Sequence, residues 1–218
     1  MSWVEFPQPG AGGIARREIF TEDGTWTKPD GLIGEQVWVT AIGGGGSGAV
    51  DGGNGGGSGQ FVQRLPVDVE GVSSVAVTVG DGGEAVVEPG ESTDGNPGQP
   101  SSFGALVSVS GATGIASGSN YDYGDGAPGM SQFSDTSPAG SPGGVFGSSG
   151  GFRNTSNRGA GAGGLAIDGS GVSGGSDSLL AATGGLGYGA GGGGSSSTSG
   201  TSGAGAPGVV MVEWIEEV

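Results

Sequence analysis

The chain has 218 residues, 57 of them glycine, only 33% hydrophobic, and a net charge of −16 with no cysteine and no histidine. That inventory excludes disulfides, thiolate nucleophiles, histidine acid–base catalysis and cysteine or histidine zinc sites. It also opposes nucleic-acid binding, which needs basic patches to displace counterions, and it holds too few large apolar residues for an ordinary core along the whole chain. The charged fraction is only 13%, whereas simple disorder comes with dense charge. Something other than side-chain packing must therefore order much of the chain.

Residues 1–15 read as an N-terminal arm. Trp3, Val4 and Phe6 are followed by Pro7, Pro9 and a glycine cluster, and proline and glycine oppose regular structure. The three apolar residues are candidates for docking on a partner; the alternative is a disordered arm. The stretch MSWVEFPQPGAGG has neither a basic n-region nor an apolar h-region, so no signal peptide is expected. No apolar run is long enough to span a membrane as a helix. Synthesis in a cytoplasm without classical export is the expectation.

Residues 16–218 read as one glycine-rich β domain. Its framework is 16–110 and 207–218, with a glycine-rich insertion over 111–206. Strand signals recur along 16–110: RREIFT, TWT, QVWVTAI, GQFVQRLPVDV, SVAVTV and SSFGALVSVS. They favour valine, threonine and aromatics and alternate with period two. Val37, Val39 and Ala41 share one face, with Trp38 and Ile42 opposite. Val75, Val77 and Val79 share a face, as do Phe61, Gln63 and Leu65. Pro66 marks an edge or a break. Turns fall at Asp23-Gly24, Asp30-Gly31 and Asp81-Gly82.

The strand QVWVTAI runs into Gly43-x-Gly45-x-x-Gly48, the spacing of a dinucleotide-binding fingerprint. The fingerprint needs a following helix to hold a pyrophosphate. AVDGGNGGGSG has no helical apolar stripe, and each interior glycine costs a helix about 1 kcal/mol relative to alanine. In so glycine-rich a chain the spacing also arises by chance. No cofactor is expected, and the glycines after Ile42 read as scaffold.

Residues 111–208 are mostly glycine, serine, alanine and threonine, and the closing run GVVMVEWIEE then returns to a β pattern, with Val210, Val212 and Trp214 on one face. That last strand should pair beside QVWVTAI or REIFT, making the glycine segments insertions between strands of one small sheet or sandwich. A collagen triple helix needs strict Gly-X-Y, and the period-three runs at Gly140, Gly143 and then Gly144, Gly147, Gly150 slip phase. A calcium-binding roll needs tandem nonapeptides, which are absent. The remaining ordered option keeps extended chains of three residues per turn and packs them side by side, as in polyglycine II. Amides then bond between neighbouring chains, against the high entropy cost of ordering glycine.

The order of motifs resembles the glycine-rich domain of bacteriophage minor tail and tail-fibre proteins, especially of actinobacteriophages. The resemblance rests on FTEDGTWTKPDGL (20–32), QVWVTAIGGGGSG, GGGSGQFVQRLPVDV, VAVTVGDGGE, Ser101 to Gly104, the long glycine tract and the closing APGVVMVEWI. It spans about residue 18 to 218. It implies an all-β virion component of the tail tip or fibre, made in the host cytoplasm, assembled with other tail proteins and homo-oligomeric in a symmetric, cyclic or trimeric tail. It carries no catalytic residues.

Residues 119–158 depart from a plain glycine tract. Tyr121 and Tyr123 lie beside Asp122 and Asp125, and Phe133, Phe146, Phe152, Arg153 and Arg158 follow. Rings stack on sugar faces and carboxylates accept hydroxyl hydrogens, so these residues are candidate glycan contacts. The simpler account has them covering a sheet end and plugging gaps. Asp81, Glu84, Glu88 and Glu91 could offer oxygen ligands to calcium; solvated surface charge is the simpler account, and no metal is expected. No two acids are held at a defined separation, so no glycosidase activity is expected. The expected function is structural, at the host-facing end of a tail. The alternative is an adhesin module recognising host cell-surface glycan. Ice binding would want a regular threonine or glycine lattice, which the slipped periods oppose.

Overall fold

The computed structural model describes residues 12–50, 55–87, 93–113, 182–195 and 200–217. Those residues are all-β and divide into a β-sandwich and, at one end of it, a bundle of extended glycine-rich segments. The strands are β1 (Gly13–Phe20), β2 (Gly24–Thr27), β3 (Gln36–Ile42), β4 (Phe61–Asp68), β5 (Ser74–Thr78), β6 (Ser101–Phe103), β7 (Val107–Val109) and β8 (Val209–Glu217). One antiparallel sheet has the order β1-β8-β3-β4 and the other β2-β5-β6-β7.

The closing strand β8 lies between β1 and β3 and pairs with both. It therefore joins the two earlier strands that sequence offered as alternatives. β1 starts at Gly13, within the stretch read as an arm. The inner face follows the period-two pattern. Val37, Val39, Ala41, Val75, Val77, Val79, Val210 and Val212 meet in one core with Trp26 and Phe103. Trp26 is fully buried and packs edge-on against Phe103 (centroids 5.6 Å apart) and Trp214 (6.3 Å), arrangements that aromatic quadrupoles favour.

One expected face is corrected. Phe61, Gln63 and Leu65 do not share a side. The pairing of β3 with β4 shifts between Val39 and Ala41, which face Leu65 and Val62. Gln63 and Arg64 thus oppose Thr40 alone, a bulge that resets the alternation. Arg64 takes φ 51°, and its N–H donates to Thr40 Oγ1 at 3.0 Å. Phe61 consequently joins Ile42 and Val209 in a second cluster on the outer face, capped by Tyr188, while Leu65 packs on the main core. Pro66 sits on β4, an edge strand, as proline requires.

The bundle continues directly from the strands. Rods 43–50, 80–87 and 110–113 leave β3, β5 and β7; rods 55–60, 93–99 and 200–208 enter β4, β6 and β8. Rod 43–50 is buried along its whole length. Its amides donate in rotation to three neighbours. Gly43 and Gly46 donate to Gln60 and Gly57, Gly44 and Ser47 to Gln99 and Asn96, and Gly45 and Gly48 to Ala206 and Gly203. Its carbonyls accept from three others: Gly44 from Ala112, Gly45 from Gly83, and Gly46 and Ala49 from Gly192 and Ser195. Every third amide meeting the same neighbour is the signature of a three-residue turn. Rod 43–50 is therefore the axis of a hexagonal polyglycine-II-like lattice.

The surrounding rods also bond to one another. Gly56 and Gly59 donate to Gly192 and Gly189, and Gly98 to Ala112. Ser202, Gly205 and Gly208 donate to Val86, Gly83 and Gly80, while Gly203 and Ala206 donate to Gly193 and Ala190. Rod 182–185 adds an outer position, donating from Ala182 and Gly185 to Thr201 and Ala204. The lattice is therefore built about equally from segments inside the expected framework 16–110 and from the expected insertion 111–206.

Glycine is required here for space. A Cβ at Gly43, Gly44, Gly45, Gly48, Gly56 or Gly59 would lie less than 3.0 Å from a neighbouring backbone carbonyl oxygen, closer than real Cβ atoms approach. Side chains help where lattice meets sandwich. Ser101 Oγ accepts from Gly80 N–H (2.9 Å) and donates to the Ile42 carbonyl (2.7 Å). Gln60 Oε1 accepts from Ser110 N–H (2.8 Å) while Gln60 N–H donates to Ser110 O.

Two predictions follow from this geometry. Gly44→Ala should cost about 2 kcal/mol or more, in the range of core overpacking, whereas Glu84→Ala, on an exposed side of rod 80–87, should stay within about 0.5 kcal/mol; urea unfolding followed by tryptophan fluorescence compares the two. Ser101→Ala strands a buried N–H and a buried C=O together and should cost about 1–3 kcal/mol, read in the same assay.

Candidate functional site

Each rod leaving the sandwich runs parallel to the axis, and each returning rod runs antiparallel to it. Residues 51–54, 88–92, 114–181 and 196–199, which separate rods that run away from the sandwich from rods that run toward it, lie outside the described residues. The reversal next to the sandwich is described: Leu186, Gly187 and Tyr188 join rod 182–185 to rod 189–195, with positive φ at Gly187 and Gly189.

The described far end is built mostly of small and β-branched residues, with Asp94 its one described charge. Val50 bridges to Thr93 and to Ser195, and Val87 to Thr201. Val50 is fully buried, while Val87 is 63% exposed. Two serines tighten this end by bonding reciprocally with an antiparallel neighbour. Ser47 N–H donates to Asn96 O while Ser47 Oγ accepts from Asn96 N–H at 2.8 Å. Ser202 does the same with Val86.

Charge is distributed unevenly. Arg16, Arg17, Lys28 and Arg64 belong to the sandwich, and the described rods contain no lysine or arginine. Arg16 pairs with Glu216 at 2.8 Å and Arg64 with Glu213 at 3.1 Å, and Lys28 pairs with Glu35. The rods carry Asp81, Glu84 and Asp94, all exposed.

The glycines with fingerprint spacing lie in the axis rod. Among the described residues no helix follows Gly43, Gly45 and Gly48, and their three amides are committed to Gln60, Ala206 and Gly203. They are not arranged to cradle a phosphate, which needs free amides at a helix N-terminus. Of the four acids weighed for calcium, Asp81 and Glu84 are exposed on rod 80–87, and Glu88 and Glu91 lie outside the described residues. Among the described residues no group of three or more acidic side chains is arranged to hold a metal ion.

The candidate glycan contacts Tyr121, Asp122, Tyr123, Asp125, Phe133, Phe146, Phe152, Arg153 and Arg158 lie outside the described residues, as do Trp3, Val4 and Phe6 of the arm. The described residues on either side of 114–181 are Thr113, ending a rod that leaves the sandwich, and Ala182, opening one that returns.

Sequence reasoning named the glycines after Ile42 as scaffold but did not identify rods 80–87 and 93–99 as parts of the lattice. Those two rods carry a usable signal of their own. Gly95-x-x-Gly98-x-x-Ser101 and Gly80-x-x-Gly83-x-x-Val86 keep an unbroken three-residue period, and those are the buried positions of their rods. Asp81, Glu84 and Val87 occupy one exposed row. Pro97 is exposed as well, its fixed φ suiting the extended form and its missing donor taking nothing from the buried side.

A search of curated proteins found no match to the chain. A glycine-rich domain family model matches residues 20–215. That span takes in β2 to β7, every described rod and most of β8; the chain belongs to the glycine-rich domain family.

Proposed function

We propose that this protein is a structural component of a bacteriophage virion, a minor tail protein of the tail tip or fibre, with the lattice directed toward the host. The observation carrying the reading is the polarity of the fold. Six of the described rods continue directly from strands of the sandwich, and residues 114–181 are flanked by a rod that leaves the sandwich and one that runs back toward it. The order of sequence motifs, which resembles that of tail-fibre glycine-rich domains, supplies the phage context. In this reading the sandwich and the arm bearing Trp3, Val4 and Phe6 attach to other tail proteins.

A rigid lattice built from backbone hydrogen bonds suits a tail. It holds a projecting element without a large core, and its interior presents little to proteolysis. The second reading, an adhesin module for host cell-surface glycan, is favoured by the concentration of tyrosine, phenylalanine, aspartate and arginine between residues 121 and 158. The two readings share a fold and differ in partner.

Mass spectrometry of purified virions from a phage carrying this gene should detect the chain, and gold-labelled antibody should mark the tail's distal end. Absence from virions would sink the proposal, and labelling elsewhere would remove its host-facing part. For the second reading, the purified chain should bind actinobacterial cell-wall polysaccharide on an array. Tyr121→Ala with Tyr123→Ala should weaken that binding about tenfold, the loss expected from two stacked rings worth about 0.7 kcal/mol each.

A further inference from the structure

β1 is an unusually open sheet edge. It lies at the end of the order β1-β8-β3-β4 and pairs continuously with β8 over its eight residues. Among the described residues nothing pairs with its other side. The remaining edges carry the usual protections. β4 has Pro66 and the bulge at Gln63 and Arg64. β2 has four residues and β7 only three. β1 has neither proline nor bulge, and Ile14 to Glu18 are exposed.

The side chains along this edge are ordered in a self-complementary way. Ile14, Arg16, Glu18 and Phe20 lie on one face, opposite Glu216, Trp214, Val212 and Val210 of β8. An antiparallel pair of identical strands related by a two-fold axis normal to the sheet keeps equivalent faces on the same side. Centred on Arg17, such a pair sets Ile14 against the partner's Phe20 and Arg16 against the partner's Glu18, each twice. Ala15 then meets the partner's Ile19. Cross-strand apolar and opposite-charge pairs of this kind stabilise sheets. An edge arranged only to repel other strands would carry like charges in these places.

The isolated chain leaves these groups ready. Ile14 is 43% exposed. Among the described residues Glu18 and Arg17 are in no ion pair. Arg16 Nε is already held by Glu216, which fixes the guanidinium and leaves its other donors for a second carboxylate. The unfavourable pair is Arg17 with the partner's Arg17 at the axis. Glu213, which pairs with Arg64, lies directly across from Arg17 on β8, so each of these arginines has a carboxylate on the neighbouring strand that it would share with Arg64.

We propose that β1 is a dimerisation edge at which two copies of this chain pair antiparallel, centred on Arg17, to join their four-stranded sheets into one. This is independent of the tail assignment, because it concerns only the purified chain.

Sedimentation velocity on the full chain tests it. The wild type should pass reversibly from monomer to dimer as concentration rises through the micromolar range. Arg16→Glu and Glu18→Arg should each be monomeric at concentrations where the wild type is dimeric, with association weakened at least about tenfold. Mixed in equal amounts they should form a dimer again, because each variant then offers the charges the other lacks. Circular dichroism of the separate variants guards against misfolding. Hydrogen exchange of the wild type gives a second readout: β1 amides facing away from β8 should gain protection with concentration. A wild type that stays monomeric at high concentration, a dimer indifferent to both charge reversals, or a mixture that does not reassociate would each overturn the proposal.

Discussion

The hydrogen bonds of rod 43–50 are the constraint on which the lattice depends. This rod has neighbours on all sides and meets them almost wholly through backbone, donating in rotation to three antiparallel rods and accepting from three parallel ones. A buried amide without a partner costs on the order of 1–3 kcal/mol, so rods can come this close only if nearly every one is paired. Absent side chains let the neighbouring backbones approach near enough to supply the partners. The same closeness sets each glycine Cα against a carbonyl oxygen, leaving no room for a methyl group.

Glycine loses more conformational freedom on ordering than any other residue, and the sandwich reduces that loss. Six rods are direct continuations of strands, so the sheets fix the position and direction of one end of each. The link is itself hydrogen-bonded: Ser101 joins Gly80 to Ile42, and Gln60 joins rod 55–60 to Ser110. The two halves are therefore complementary. The sandwich holds the aromatic and valine core that the lattice lacks, while the lattice covers β3 at Ile42, whose outer cluster is closed by Tyr188 from the lattice's own near turn.

This division bears on function by separating surfaces. The described cations and ion pairs belong to the sandwich, while the described charges of the rods are exposed acids, Asp94 at the far end among them. A chain with two chemically distinct ends suits attachment at one and presentation at the other, which is why the tail reading fits it. The long open edge of β1 lies on the sandwich, the half with conventional side chains available for pairing.

The sequence by itself determined the β framework. Valine alternation in QVWVTAI, SVAVTV and GVVMVEWI fixed which residues face inward, because a strand points successive side chains to opposite faces. Pro66 placed an edge, and the return to strand pattern after the glycine tract tied the chain's two ends into one sheet. Tertiary structure alone decided the rest. The bulge at Gln63 and Arg64 moved Phe61 to the outer face, since which strand carries an extra residue depends on the partner's register. The hexagonal arrangement was hidden for a related reason. A glycine rod has no side chain to encode its neighbours, so which rods adjoin is set by where the sheets deliver their ends. Only the outer rods, where every third position returns to the buried side, wrote that period into the sequence as Gly80-x-x-Gly83 and Gly95-x-x-Gly98; the axis rod, surrounded on every side, had no exposed face with which to record it.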